Sequence, residues 1–158
     1  MTTSITFEHV TQAHRPLLRR WLAMPHVVEW WGDPDQEIDL IAYGKEKDGT
    51  EGFVILLHEK PVGYIQSWIP SRFDNEDWER VLSPDVRGID ILIGETSAIG
   101  RGADIIGVFV DRLLAQGHRH LVIDPDKRNL RAIRAYEKAG FIKYDETETS
   151  ILMELKPI

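Results

Sequence analysis

At residues 99–104 the chain reads Ile99-Gly100-Arg101-Gly102-Ala103-Asp104, a glycine-rich turn between two apolar segments. The segment before it, Val86 to Ile93, is rich in aliphatic residues and predicts a strand. The segment after it repeats apolar residues on one helical face as far as Gln116, at Ile105, Ile106, Phe109, Val110, Leu113 and Leu114. Gly117 predicts the end of that helix, and a short buried strand follows at Leu121-Val122-Ile123. This order predicts a strand–helix–strand unit over residues 86–124.

The part of the chain before this unit predicts strands and two helices. Ile5 to Val10 alternates like a strand. After Thr11, a plausible cap, apolar residues follow at helical spacing at Leu17, Leu18, Trp21 and Leu22. The polar stretch Asp33 to Gly49 predicts an exposed helix around Ile38 and Ile41. An antiparallel hairpin is predicted from Phe53–His58, the turn Glu59-Lys60-Pro61 and Val62–Ile69.

The part of the chain after the unit predicts one more helix and a strand pair. Asn129 predicts the cap of a helix that continues to Lys138, and Gly140 predicts its end. A final pair of strands is predicted at Phe141–Tyr144 and Ile151–Leu155. No repeat, low-complexity tract or Pro/Gly/Ser-rich linker divides the sequence, so we expect one mixed α/β domain over residues 1–158.

The composition is typical of a compact globular protein, with 158 residues of which 42% are hydrophobic and 28% charged. Because 26 Asp and Glu outnumber 19 Lys and Arg, the formal net charge is −7. This balance argues against nucleic-acid and anionic-membrane partners and leaves room for a cationic ligand. The lack of cysteine excludes disulfides, a thiol nucleophile and cysteine-ligated zinc. The first residues lack the pattern of a secretory signal, so we expect a cytoplasmic protein.

The glycine-rich turn has two interpretations. Glycines let backbone N–H groups turn inward, and a helix N-terminus adds positive potential, so a diphosphate can bind there. A glycine-rich strand-to-helix turn without a ligand explains the same residues. The turn is neither a P-loop nor a dinucleotide fingerprint, because the chain has no Gly-Lys-Ser/Thr and no Gly-x-Gly-x-x-Gly.

A second stretch reads Asn129-Leu130-Arg131-Ala132-Ile133-Arg134-Ala135-Tyr136-Glu137-Lys138-Ala139-Gly140-Phe141. By itself it predicts a capped amphipathic helix that ends in a glycine turn. Together with Gly-x-Gly at the preceding helix start, it resembles the acetyl-CoA-binding half of the GNAT acetyltransferase superfamily. The resemblance covers residues 86–144 strongly and the whole chain in element order. It implies a mixed, mostly antiparallel central sheet flanked by helices, with a βαβ unit that binds acetyl-CoA.

The resemblance also implies a set of cofactor contacts. The glycine-rich turn would hold the CoA pyrophosphate, and Asn129 would contact the pantetheine arm or the adjoining backbone. Tyr136 would lie near the thioester sulfur. The implied cofactor-binding residues are Ile91, Leu92, Ile93, Ile99, Gly100, Arg101, Gly102, Ala103, Asp104, Asn129, Ala132 and Tyr136. Ile99 and Asp104 depart from the family pattern, which has Arg or Gln at the first position and Gly or Ala at the last. The Asp104 carboxylate either lies among the phosphates or points outward and complements the helix dipole.

Four further motifs are similar to those of aminoglycoside 6′-N-acetyltransferases, namely His26-Val27-Val28-Glu29-Trp30-Trp31-Gly32, Gly63-Tyr64-Ile65-Gln66-Ser67, Asp85-Val86-Arg87-Gly88-Ile89-Asp90 and Asp124-Pro125. This narrower resemblance implies acetyl transfer from acetyl-CoA to the 6′-amine of an aminoglycoside, which is an antibiotic-resistance activity. The His-Val-x-x-Trp-Trp element also resembles siderophore-pathway acetyltransferases. A siderophore precursor, a polyamine or a protein amine therefore remains an alternative acceptor. Outside enzymes, the alternative is a non-catalytic CoA- or drug-binding module.

Acetylation by direct attack requires a neutral amine, so a carboxylate must accept the amine's proton. Asp90 and Asp124, which we expect at strand ends of the βαβ unit, are the candidates, and a turn cap is the competing interpretation of each. We expect Asp90 to accept or relay the proton, with Asp124 in reserve. Tyr136 is expected to protonate the departing thiolate or to orient it. Backbone N–H groups around Leu92 and Ile93 are expected to stabilise the oxyanion.

A cationic acceptor suits a site of carboxylates with an aromatic wall. The predicted acceptor-binding residues are Trp30, Trp31, Tyr64, Gln66, Asp74, Asp77, Trp78, Asp90 and Asp124. Trp30 and Trp31 cannot both face one side of a strand, which favours a cleft position for one of them. No metal site is expected, since Ile38 takes the Gly position of the calcium-like pattern Asp33-x-Asp35-x-Glu37. We expect a small-molecule amine as the partner, and a monomer or homodimer.

Overall fold

The computed structural model describes residues 4–73 and 83–157. The chain forms two compact units, Met1–Ser67 with Asp90–Gly100 and Trp68–Ile89 with Arg101–Ile158. One strand, Arg87–Ile93, contributes residues to both. A single domain over residues 1–158 stays a prediction.

The first unit is built on antiparallel strands, which are β1 (Ile5–His9), β2 (Gly44–Lys45), β3 (Glu51–Leu57) and β4 (Lys60–Trp68). β3 pairs with β1, β2 and β4, and all three pairings are antiparallel. The predicted first strand and the predicted hairpin are therefore confirmed.

The turn of the hairpin differs from the predicted Glu59-Lys60-Pro61. His58 and Glu59 form a two-residue turn with φ values of +50° and +68°, and Leu57 pairs with Lys60. Two left-handed residues suit the right-handed twist of the flanking strands. Pro61 lies within β4 opposite Leu56, where the register shifts. Pro61, which was expected in the turn, is thus accommodated in the strand at an irregularity of the ladder.

Three short helices follow β1 in the first unit, and they are α1 (Arg15–Leu22), α2 (Pro25–Trp31) and α3 (Pro34–Glu37). Single 3₁₀ turns occupy Gln12–His14, Ile38–Leu40 and Thr96–Ala98. Thr11 precedes the first of these turns, and the helix predicted from Leu17 to Leu22 is confirmed as α1. The exposed helix predicted around Ile38 and Ile41 is wrong, because α3 ends at Glu37 and both isoleucines are buried in this unit's core.

The segment that carries Trp30 and Trp31 is a helix and not a strand. Pro25 occupies the first helical position of α2, where its fixed φ and missing N–H are favourable. Gly32, with φ of +95°, ends the helix. The argument that two neighbouring tryptophans face opposite sides of a strand is therefore wrong, since adjacent helical residues point about 100° apart.

The second unit contains β5 (Arg87–Ile93) up to Ile89, and then α4 (Gly102–Ala115), β6 (Leu121–Ile123), α5 (Leu130–Lys138), β7 (Ile142–Glu146) and β8 (Ile151–Leu155). A 3₁₀ turn spans Pro70–Arg72. β5 and β6 pair in parallel through Arg87↔Leu121 and Gly88↔Val122, whereas β8 pairs antiparallel with β6 and β7. The strand–helix–strand unit and the final strand pair are confirmed.

The helices of the second unit begin and end where the sequence predicts. α4 buries Ile105, Ile106, Phe109, Val110 and Leu113 on one face, and Gly117 follows it with φ of +96°. Asn129 caps α5, and Gly140 follows that helix with φ of +107°.

The strand order β1-β3-β4-β5-β6-β8-β7, with β2 paired to β3, gives one mixed, mostly antiparallel sheet of eight strands. The predicted fold class is therefore confirmed. Within residues 4–73 and 83–157, no helix combines the length and apolar character that a membrane span requires.

Candidate active site

Asp90 lies in the middle of β5, and the strand continues to Ile93. The expectation that Asp90 ends its strand is therefore wrong. The competing interpretation, that Asp90 caps a turn, is wrong as well. Its side chain is partly buried and accepts a hydrogen bond from the Gln66 amide, with 2.9 Å between Asp90 Oδ2 and Gln66 Nε2. The carboxylate is thus held by the neighbouring strand β4 and not by a turn.

A chain of hydrogen bonds continues from Gln66 into the core of the first unit. The Tyr64 hydroxyl donates to Gln66 Oε1 at 2.6 Å and accepts from the backbone N–H of Ala42 at 3.1 Å. Tyr64 is 0% exposed, and its ring packs edge-on against Trp31 with 6.3 Å between centroids. Because β-strand side chains alternate, Tyr64 and Gln66 share one face of β4.

The electrostatics of this cluster favour protons on its carboxyl groups. Burial raises the pKa of Asp90, and the hydrogen bond from Gln66 opposes the rise. Burial also raises the pKa of Glu37, at the end of α3, and the charge of Asp90 raises it further. For the buried Tyr64 phenol, burial raises the pKa above its ordinary value, so the hydroxyl stays a neutral donor at physiological pH.

Two side chains of α2 donate to one edge of β5. His26 Nε2 lies 2.8 Å from the carbonyl oxygen of Ile93, and Trp31 Nε1 lies 3.3 Å from that of Ile91. Gly94 instead donates its N–H to the Val62 carbonyl of β4. Because peptide groups alternate along a strand, the N–H groups of Ile91 and Ile93 face away from β4, whereas that of Leu92 faces it. The backbone N–H groups of Leu92 and Ile93 were both expected to donate to the oxyanion. Of these two, only the N–H of Ile93 lies on the edge of β5 that faces away from β4.

The glycine-rich turn has a backbone that suits a phosphate ligand. Gly100 has φ of +103°, and a Cβ built there meets no atom within 4 Å. Ile99 is in extended conformation before it, Arg101 is the N-cap, and the first bond of α4 runs from the Ile105 N–H to the Arg101 carbonyl. The N–H groups of Gly102, Ala103 and Asp104 therefore have no partner within the helix, as at any helix start. The binding of the CoA diphosphate at this turn stays a prediction.

Asp104, the departure from the expected pattern, points to solvent. Its carboxylate is exposed and lies 3.7 Å from Arg101 Nε. An acidic residue in the first helical turn complements the helix dipole, which is the second of the two arrangements expected for it.

The other expected cofactor residues lie on or near α5. Asn129 accepts a hydrogen bond from the Ala132 N–H at 3.2 Å, so it caps the helix. Tyr136 is 9% exposed, and Asp124 directly follows β6 and is partly buried. The cofactor and proton-transfer roles of these residues stay predictions.

Only some of the predicted acceptor-binding residues lie in the part of the chain that the structure describes. Trp30 and Trp31 are partly buried on α2, and Gln66 contacts Asp90 directly. Three others, Asp74, Asp77 and Trp78, lie outside the described residues. The acceptor roles of all these residues stay predictions.

Two residues next to Asp90 and β5 had no predicted role. Glu37 interacts with Asp90 through its charge, although the two are far apart in sequence and no local pattern joins them. His26 was part of a quoted motif, and the helix start at Pro25 was the signal that would have placed it on α2. In the parts of the chain that the structure describes, no group of three or more His, Asp or Glu is arranged to hold a metal ion.

Comparison with protein families defines the class. The sequence profile of the acetyltransferase (GNAT) domain matches residues 10–149, and the chain belongs to the GNAT acetyltransferase family. Within that family it is similar to aminoglycoside N(6′)-acetyltransferase type 1 of Klebsiella pneumoniae, with 32% identity over 148 residues that cover 87% of this chain and 74% of the relative. A kanamycin resistance protein of Rhizobium radiobacter is 40% identical over 67 residues, which cover 40% of this chain and 62% of the relative.

Solved structures of aminoglycoside acetyltransferases are similar in fold to nearly the whole of this chain. Aminoglycoside acetyltransferase AAC(6′)-Ib in complex with coenzyme A and kanamycin matches with a TM-score of 0.82 and 28% identity, covering 97% of this chain and 95% of that one. AAC(6′)-Ib in complex with ribostamycin and coenzyme A matches with a TM-score of 0.83 and 28% identity, covering 97% and 93%.

Proposed function

We propose that this acetyltransferase moves the acetyl group of acetyl-CoA to the 6′-amine of an aminoglycoside. The observation that carries the proposal is the partly buried Asp90 carboxylate, oriented by Gln66 in the middle of β5. A buried carboxylate both attracts an ammonium group and accepts a proton from it. The net charge of −7 and the relatives that act on aminoglycosides support a polycationic acceptor.

Acetyl-CoA, when bound, supplies an activated acetyl thioester. In this proposal the turn from Gly100 to Gly102 and the first N–H groups of α4 hold its diphosphate. Asn129 lies along the pantetheine arm, and the N–H of Ile93 donates to the thioester oxygen as negative charge develops there.

Two residues of the chain transfer protons in this reaction, one as acceptor and one as donor. Asp90 takes one proton from the ammonium group, which leaves a neutral amine that attacks the thioester carbon. The nitrogen loses its second proton to solvent water as it becomes an amide nitrogen. Tyr136 supplies a proton to the thiolate that leaves when the carbon–sulfur bond breaks. General acid and base contributions of this kind are each worth about 10²–10⁴-fold in rate.

An acceptor screen with detection of free CoA thiol tests the proposal. Two aminoglycosides that differ only in a 6′-amine or a 6′-hydroxyl form the matched pair, with hydroxylated lysine and polyamines as competing acceptors. We expect thiol release only with the aminoglycoside that carries the 6′-amine. Its product should be about 42 Da heavier than the acceptor, because an acetyl group replaces one hydrogen. Faster turnover of hydroxylated lysine or a polyamine would assign another acceptor, and acetyl-CoA binding without thiol release would indicate a binding module.

A further inference from the structure

We propose that Tyr64 is a positioning residue for Asp90, because its hydroxyl holds the Gln66 amide with the N–H side toward the carboxylate. The inference rests on the proposed function only in treating Asp90 as the proton acceptor. The chain of hydrogen bonds from Ala42 to Asp90 is independent of which amine is acetylated.

The hydrogen bonds of this chain all run in one direction, from Ala42 toward Asp90. A backbone N–H can only donate, so the Ala42 N–H occupies a lone pair of the Tyr64 oxygen. The single hydroxyl proton of Tyr64 is then free to be donated to Gln66, at 2.6 Å. The acceptor of this proton is the amide oxygen Oε1, and the Gln66 NH₂ group faces Asp90. This arrangement suits an ionised carboxylate, which can only accept.

Loss of the Tyr64 hydroxyl would release the Gln66 amide. The amide oxygen would lose its donor, and a flipped amide would place that oxygen against Asp90. An oxygen facing Asp90 favours the protonated acid, since two acceptors cannot share a bond without a proton. The base would then be ionised over a narrower range of pH.

The titratable groups on which the charge of Asp90 acts lie on two neighbouring elements. Glu37 of α3 and Tyr64 of β4 both interact with it electrostatically. Both are acids, so neither offers a cation to offset the burial of the carboxylate. The hydrogen bond from Gln66 is accordingly the interaction that opposes burial, and its orientation matters.

Tyr64→Phe tests the inference, because it removes one oxygen and keeps the ring against Trp31. The matched control is Tyr43→Phe, which removes a hydroxyl bound to Arg15 in the same unit. The titration of the Asp90 side-chain carbon is followed by carbon NMR without substrate, with Asp90→Asn for assignment. The pH profile of kcat/KM and the Tm are measured on the same proteins.

We expect Asp90 to titrate at higher pH in Tyr64→Phe and at the wild-type pH in Tyr43→Phe. At acid pH, kcat/KM of Tyr64→Phe should fall about two- to tenfold more than at alkaline pH, the effect of one weakened hydrogen bond to a charged group. In a Gln66→Leu background, Tyr64→Phe should add no further displacement of the Asp90 titration. If Tyr64→Phe does not fold, 3-fluorotyrosine at position 64, a stronger donor, should move the Asp90 titration to lower pH.

An unchanged Asp90 titration in Tyr64→Phe with a lower Tm would overturn the inference and leave Tyr64 with a packing role. An effect that adds to that of Gln66→Leu would overturn it as well, because the hydroxyl would then act by another route. Failure of the proposed function would be seen separately, as wild-type protein that acetylates no aminoglycoside while the NMR titrations still decide the role of Tyr64.

Discussion

The imidazole Nε2 of His26 lies 2.8 Å from the carbonyl oxygen of Ile93, on the edge of β5 that faces away from β4. Trp31, from the same helix, donates to the next carbonyl on that edge at Ile91. Helix α2 therefore supplies side-chain donors where a neighbouring strand would supply backbone donors. The Ile91 and Ile93 carbonyls on this edge are therefore satisfied by side chains of α2.

His26→Ala should consequently lower kcat by about tenfold or more, because loss of its bond loosens the Ile93 peptide that we expect to stabilise the oxyanion. His26→Gln keeps an N–H donor and should retain most of the activity. Steady-state kinetics and Tm on both variants check this. Equal losses of kcat in the two variants would contradict a role for the donated hydrogen bond.

Gly100→Val should weaken acetyl-CoA binding strongly, by about tenfold or more. The residue has φ of +103°, a conformation that a β-branched side chain rarely adopts, so the N–H groups around it would be displaced from the diphosphate. Gly107→Ala within α4 is the control, since its added Cβ meets no atom within 4 Å and its φ is helical. Calorimetry of acetyl-CoA binding measures both, and an unchanged affinity in folded Gly100→Val would remove the turn from the cofactor site.

Glu37→Gln should extend activity to lower pH. The charge of Asp90 raises the pKa of Glu37, and because the repulsion between two carboxylates is mutual, we expect loss of the Glu37 charge to make ionisation of Asp90 easier. The acidic limb of kcat/KM should therefore move to lower pH, opposite in sign to the effect expected for Tyr64→Phe. Asp39→Asn is the control, because Asp39 is exposed and pairs with Arg15. If the acidic limb of the kcat/KM profile does not move in Glu37→Gln, Glu37 and Asp90 titrate independently.

The parts of the fold that the sequence predicts well are those with a local signal. The apolar repeat from Ile105 to Leu113 and the cap at Asn129 each lie within one element, and both are found where expected. Pro61 shows the opposite case, because its place opposite Leu56 depends on the pairing of β3 with β4.

In the candidate site too, some features are visible in the sequence and others depend on tertiary packing. Tyr64 and Gln66 are two residues apart on a strand, so their shared face is visible in the sequence. Their contacts with Ala42 and Asp90 depend on tertiary packing and strand register, which no local pattern contains. Glu37 was missed for this reason, although the family motifs around Asp90 were recognised.

Asp90→Asn should make the protein more stable at neutral pH while it lowers activity by orders of magnitude. Burial raises the pKa of the Asp90 carboxyl in the folded state above its unfolded value. The folded state therefore binds its proton more readily, and the stability that this group contributes is complete at acid pH and lost as the pH rises toward the folded pKa. Above that range the ionised carboxylate is a net cost, which the neutral asparagine avoids.

The measurement is Tm as a function of pH for wild type and Asp90→Asn. Because the ionised carboxylate is a net cost at neutral pH, we expect Asp90→Asn to melt at a higher temperature than wild type at pH 7. The difference should shrink as the pH falls, because wild-type Asp90 then becomes neutral as well. Asp111→Asn, at an exposed position of α4, should leave Tm nearly unchanged at both neutral and acid pH. A lower Tm for Asp90→Asn at pH 7 would show that the ionised carboxylate supports the fold, and the loss of activity would then have a structural cause.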